Sequence, residues 1–320
     1  MHEQHLHFFQ RPFPSANMIV LLGPQPILVD TGFGADYAQT VHLLSTIQLS
    51  PEQLNLIVNT HYHCDHVGGN HALQRDYQLP IAAHAWEAAM VNRRDPHVGS
   101  IVWLDQMVEP YTVQRPLHDG DVLDTGTVQW QVIHTMGHTL GHIALYADGF
   151  LIGGDTVHAD DVAWMNPFRE GAGCIDRMLA TLDRLSQLPL KRSFSGHGPI
   201  TTNPQQRLDE ARRRYEKWLR HPEKIAWHAA KRIFTYALML FGGMARADIA
   251  PYLLRCGWYL DYCRYGWGVE PQSFVQDFLA ELMRSRAARW QGERLYPTAE
   301  YTPVSADWIA GVLPPSQWPK

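Results

Sequence analysis

The chain has 320 residues, more than one hydrophobic core usually serves, so a main domain with a smaller appendage is expected. Hydrophobic residues make up 45% and charged residues 18%, which excludes a disordered, collagen-like or coiled-coil chain, and no run reaches the ~18 apolar residues of a membrane span. The net charge of −5 is uneven, because residues 205–295 hold 16 basic against 10 acidic side chains, an excess too dilute to announce nucleic acid. The N-terminus shows no charged segment followed by an apolar run, and Cys64, Cys174, Cys256 and Cys263 form no closely spaced pair. Both features predict a cytoplasmic chain with reduced thiols and no membrane partner.

In chain order, apolar runs at 18–22 and 27–30 flank Gly23-Pro24-Gln25-Pro26, a hairpin signal. Residues 54–59 (LNLIVN) read as a buried strand running straight into Thr60-His61. A short strand at 81–83 precedes a helix over 85–91. Residues 128–133 alternate as a strand does, 143–146 and 150–152 make another pair, and 192–195 are a last short strand. Strands interleaved with helices predict sheets covered by helices, an α/β architecture. After Pro204 the texture changes. A charged helix over 205–220 has Leu208, Ala211, Tyr215 and Leu219 on one face, and further helices are expected at 223–241, 247–256 and 271–289. The tail from Pro297 is expected to lie extended, anchored by Tyr301, Trp308 and Trp318. The division drawn is 1–204 as the main domain and 205–320 as a helical domain with its tail.

Four strand ends carry the chemistry. After 54–59 stands His61-Tyr62-His63-Cys64-Asp65-His66, followed by Val67-Gly68-Gly69-Asn70. Imidazoles and a carboxylate so close together share little except a cation: neutral His is the commonest ligand for zinc-like ions, and Asp adds a hard oxygen. Further strand ends deliver Met136-Gly137-His138-Thr139-Leu140-Gly141-His142, then Gly153-Gly154-Asp155-Thr156, then Ser195-Gly196-His197-Gly198. Each has glycine beside a His or Asp at the place where open α/β sheets put their sites.

These motifs, with Val29-Asp30-Thr31-Gly32 upstream and in this order over roughly residues 15–200, resemble the metallo-β-lactamase superfamily. The resemblance implies an αββα sandwich of two mixed sheets with helices outside, and here a mostly helical C-terminal lobe. It implies that His61, His63 and His138 hold one metal, that Asp65, His66 and His197 hold a second, and that Asp155 bridges them. His134 and His142 are then structural, Asp30 orients the ligand loop, and Cys64 faces the core. Asp155 argues against antibiotic cleavage, since β-lactam-cleaving members lack that carboxylate while glyoxalase II-like thioesterases, lactonases and phosphodiesterases have it.

The implied cofactors are two divalent ions, Zn first and Mn or Fe next, sharing a bridging hydroxide that attacks a carbonyl or phosphoryl centre. Asp65 would orient that hydroxide. His158, three residues beyond Asp155, is the candidate acid for the leaving group. Trp103, Met107, Tyr111, Trp164, Met165 and Phe168 are expected to wall the pocket, favouring a small acyl substrate: an ester, thioester or lactone. The alternatives are a phosphodiesterase or endoribonuclease using Arg212, Arg213, Arg214, Lys217 and Arg220, a mono-iron sulfur dioxygenase, and a non-catalytic binding protein. Nucleic acid is the less favoured partner, and a homodimer is left open.

Overall fold

Period-two alternation within short strands builds the layers. The computed structural model describes residues 2–313 and 317–318. Strands β1 (Leu6–Phe9), β2 (Met18–Leu21) and β3 (Ile27–Val29) pair antiparallel. From β3 the sheet continues in parallel through β4 (Leu56–Val58), β5 (Ile81–His84) and β6 (Arg115–Leu117). Strands β7 (Val122–Asp124), β8 (Gln129–His134), β9 (Ile143–Ala147), β10 (Phe150–Gly154) and β11 (Arg192–Ser195) form a second sheet in the order β11-β10-β9-β8-β7. Only its β10–β11 pair is parallel.

Successive side chains of a strand leave on opposite faces, so each sheet feeds two cores. Ile19, Leu21, Val29 and Val58 meet Trp130, Val132, Leu145 and Ile152 between the sheets. Met18, Val20, Leu28 and Ile57 face outward against α1 (Tyr37–Thr46), α2 (Cys64–Val67), α3 (Asn70–Tyr77), α4 (Ala85–Asn92) and α5 (Ile101–Leu104). On the other side Ile133, Ala144 and Leu151 are covered by α6 (Cys174–Ser186) and α7 (Pro204–Arg220). The αββα sandwich expected from the motifs is the observed fold.

Helix α8 (Glu223–Leu240) has two apolar faces. Tyr236, Met239 and Leu240 enter the core outside the first sheet. Ile233, Phe234, Ala237 and Leu238 build a further core with α9 (Arg246–Arg255), α10 (Gly257–Asp261) and α11 (Pro271–Arg284), around Trp258, Tyr259 and Phe278. Trp103 and Leu104 of α5 join it. No helix among the described residues is long and apolar enough to cross a membrane.

Two expectations for the C-terminal part change. The helix expected to reach residue 289 stops at Arg284, Arg286 turns the chain with φ 57°, and a hairpin follows: β13 (Ala288–Gln291) and β14 (Arg294–Pro297), turning at Gly292 (φ 58°). With β12 (Met244–Ala245) it forms a three-stranded sheet. The tail is not wholly extended, since α12 (Ala306–Gly311) intervenes. Trp308 and Trp318 do pack on the first outer core; Pro314, Pro315 and Pro319 lie outside the described residues.

Candidate metal centre

All seven sequence-predicted side chains meet at one end of the sandwich, each from a strand's C-terminal end. Beyond β4, Thr60 donates from its N–H and hydroxyl to Asp30 (2.8 Å each), which follows β3, and His66 Nδ1 donates to the same carboxylate at 2.7 Å. Asp30 takes φ 57°, a conformation Asp tolerates better than most residues, and these three bonds hold it there. Asp30 therefore aims His66 Nε2 toward the centre.

His61 Nε2 and His138 Nε2 each lie 3.0 Å from His63 Nδ1. Neighbouring hydrogen bonds fix the tautomers. His138 Nδ1 donates to the Trp164 carbonyl at 2.8 Å, so its Nε2 is a lone pair. Thr60 spends its proton on Asp30, so His61 Nδ1 donates to the threonine oxygen (3.2 Å) and its Nε2 is a lone pair too. Both lone pairs face one His63 nitrogen, which has at most one proton to give. Burial, then neighbouring imidazoles, pushes His61 well below its ordinary pKa; burial and His138 push His63 down to about 3. Burial also lowers His138. Three neutral imidazoles with converging lone pairs fit a cation.

Across the cluster, His197 Nε2 lies 3.0 Å from Asp65 Oδ2, and His66 Nε2 lies 3.8 Å from that atom. Asp155 sits between the two groups, 3.4 Å from His66 Nε2, 3.6 Å from His138 Nε2 and 3.8 Å from His197 Nε2. Burial opposes charge on Asp65 and Asp155, but His66 and His197 outweigh it and both carboxyls fall below their ordinary range. His66 Nε2 and Asp155 Oδ1 are buried without a hydrogen-bond partner. With Nδ1 donating to Asp30, the Nε2 of a neutral His66 is a lone pair, and lone pairs of this kind orphaned in the interior fit divalent ions. His61–His63–His138 and Asp65–His66–His197 each bring their ligand atoms within 4.8 Å of one another.

The metallo-β-lactamase superfamily model matches residues 12–214, nearly two-thirds of the chain. The chain belongs to the metallo-β-lactamase superfamily. That membership implies divalent metal ions, typically zinc. Among curated relatives, a hydroxyacylglutathione hydrolase of Rhodobacter capsulatus is 34% identical over 177 residues, 54% of this chain and 60% of the relative. One from Idiomarina loihiensis is 29% identical over 172 residues, 53% and 55%. The chain thus spans little more than half the length of these relatives. A metallo-β-lactamase family protein from Thermus thermophilus superposes with a TM-score of 0.59 at 21% identity, over 92% of this chain and 99% of that one. The fold likeness therefore runs on through the C-terminal helices.

The side chains expected to wall the pocket mostly lie elsewhere. A cavity of about 360 Å³ opens over Asp65, Asp155 and His197. Of the six expected wall residues only Trp164 lines it; Trp103 and Phe168 pack against the C-terminal core, Met107 and Tyr111 against the first outer core, and Met165 under α6. The apolar wall comes instead from Phe13, Val162, Trp164, Ile233, Tyr236 and Met239. Phe13 stacks on His197 (5.0 Å between centroids) and Trp164 on His63 (5.4 Å), so the wall also holds the imidazoles in orientation.

His158 lines the cavity, stacked on His197 at 6.1 Å, with Nε2 buried and unpartnered. His142 accepts from the Asp155 N–H at 3.0 Å and contacts Thr135 Oγ1 at 2.7 Å, which orients the carboxylate. His134 contacts the Leu140 carbonyl. Cys64 turns into the first outer core toward Gln106 and Tyr236.

Sequence reasoning missed two buried acids beneath the His138 loop. Thr139 donates to Glu87 (2.8 Å), while the Leu140 N–H (2.7 Å) and the Tyr62 hydroxyl (3.3 Å) donate to Glu170. No spacing announces them; only burial to 1% and 2% exposure does. Of the arginines considered for nucleic acid, Arg212 pairs with Asp183 and Arg214 with Asp161.

Proposed function

We propose that the chain is a dinuclear metal-dependent hydrolase of small esters, thioesters or lactones. In this reading His61, His63 and His138 would hold one ion and Asp65, His66 and His197 the other, with Asp155 a ligand available to both. The carrying observation is the cluster itself: seven side chains from four strand ends, converging lone pairs, and two orphaned buried polar atoms. Divalent ions held there supply Lewis acidity and acidify water.

The chain's own residues do the rest. Asp65 Oδ2, 3.0 Å from His197 Nε2, holds a proton of the attacking water and orients it. His158 offers its unpartnered Nε2 to the leaving group. Phe13, Trp164, Tyr236 and Met239 exclude water from the acyl chain and place its carbonyl over the cluster. An apolar wall favours an acyl substrate over a polyanion. The hydroxyacylglutathione hydrolases among the relatives support the same choice, and the pairing of Arg212 and Arg214 with acids thins the basic face considered for RNA.

The test is a parallel panel of a p-nitrophenyl ester, a lactone, a glutathione thioester, bis-p-nitrophenyl phosphate and single-stranded RNA, with metal-stripped protein as control. Metal-dependent turnover of an acyl substrate is expected. His63→Ala is expected to lower bound metal, read by elemental analysis, and to cut turnover by more than about 10²-fold, because no side chain replaces the lost ligand. Turnover confined to phosphodiesters would overturn the acyl reading.

A further inference from the structure

Within the wall of the cavity stands one permanent cation. Arg232, on α8, lines the cavity, and among the described residues that line it no other is Arg or Lys. Burial lowers its guanidinium to about 10, still protonated at neutral pH. Its ion-pair partner, Asp161, also lines the cavity but is shared: Arg214 Nη1 reaches the same carboxylate at 2.8 Å. His228, the third neighbour of Asp161 at 3.6 Å, is held neutral by burial first and by Arg214 and Lys231 next.

One carboxylate thus serves two guanidiniums, and the group keeps one excess positive charge. A guanidinium carries five N–H donors. Among the described residues the Arg232 guanidinium meets the Asp161 carboxylate and makes a long 3.5 Å approach to the His228 carbonyl. Of the other acids on the lining, Asp65 and Asp155 belong to the His/Asp cluster, and Asp160 is solvent-exposed. Apolar side chains, Ile233 and Met239 among them, share the wall with Arg232.

We propose that Arg232 selects the substrate, by binding a carboxylate that the ester or thioester carries at the end of a short apolar chain. The inference rests on the hydrolase reading for its ester, and on the cavity alone for its anion. Planar, bidentate recognition is what an arginine does best, and an apolar surround strengthens it. The His/Asp cluster takes the carbonyl end and Arg232 the far end, so the charge at that end is read. A neutral ester fills the same cavity but leaves the excess charge unpaired.

The test uses metal-loaded protein and two matched pairs of probes. The first is the mono-p-nitrophenyl ester of adipate against its neutral ω-methyl ester, with an ω-trimethylammonium ester of similar length as a third arm. The second is binding of free adipate against free hexanoate by calorimetry. Both acids present one carboxylate to the metals, so only the second carboxylate separates them.

Wild-type protein is expected to prefer the carboxylated member of each pair by roughly 10- to 100-fold, the range of a hydrogen-bonded charge. The preference is expected to appear in KM rather than kcat, to vanish in Arg232→Gln and to return in part in Arg232→Lys. Asp161 keeps Arg214 in these variants, and the wild-type preference is decisive even if a variant fails to fold. Equal handling of charged and neutral probes by wild-type protein, or a preference for the cationic ester, overturns the proposal and leaves the hydrolase reading intact. An Arg232-dependent adipate preference without turnover of any ester, thioester or lactone upholds the anion site and removes the hydrolase reading.

Discussion

Glu170 shows how a single buried residue outside the cluster affects stability. Burial pushes its carboxyl up to about 7, against the partial pull of the Leu140 N–H, the Tyr62 hydroxyl and Arg177. A folded-state pKa raised above the unfolded value of 4.5 means stability that is fully present below pH 4.5 and lost as pH rises through about 7. In Glu170→Gln that loss is expected to disappear. The wild-type protein should therefore fall relative to the variant by up to roughly 3 kcal/mol across this window, measured by urea unfolding at several pH values. Parallel pH profiles for the two proteins would show that Glu170 is not the titrating group. None of this was readable in the sequence, where Glu170 sits in an irregular stretch without pattern. His61, His63, Asp65 and His66 were readable, because four potential ligands within six positions at a strand end have few other uses.

At the scale of the element, α8 ties the helical region to the site. Its 18 residues present two apolar faces, one in the core outside the first sheet and one in the C-terminal core. Tyr236 is the joint: its hydroxyl donates to the Pro14 carbonyl at 2.9 Å and meets Cys64 Sγ at 3.4 Å, while its ring lines the cavity. Tyr236→Phe keeps the ring and leaves the buried Pro14 carbonyl without this donor, so a loss of about 1–2 kcal/mol is expected in denaturant unfolding. A change below about 0.3 kcal/mol would mean that water replaces the hydroxyl. Periodicity placed α7 and α8 within a few residues of their observed ends. It failed past Arg284, because Ala288 and Trp290 suit a helix stripe and a strand face equally, and tertiary pairing with β14 decides between them.

Over the whole molecule, the proposed division at residue 204 can be tested directly. Leu208, Ala211, Tyr215 and Trp218 of α7 cover α6, and α8 closes part of the cavity. A chain ending at 204 would expose these apolar surfaces. It is expected to aggregate or to melt well below the full chain, as read by size-exclusion chromatography and thermal denaturation. A folded, metal-binding 1–204 chain would uphold the division as an autonomous domain.

The sequence by itself determined the layered α/β fold and the identity of the cluster, because both are written in short-range pattern. Alternation places side chains on faces, and a ligand motif needs only a strand end and a few residues of turn. What the cavity is made of was decided only by tertiary structure. Trp103, Met107, Tyr111, Met165 and Phe168 went to cores, while Phe13, Arg232, Tyr236 and Met239 arrived from opposite ends of the chain. An aromatic or an arginine carries no local mark of whether it will face a core, solvent or a substrate. That outcome depends on which distant helix packs beside it, and here α8 brings Ile233, Tyr236 and Met239 of the apolar wall, together with Arg232, to the His/Asp cluster.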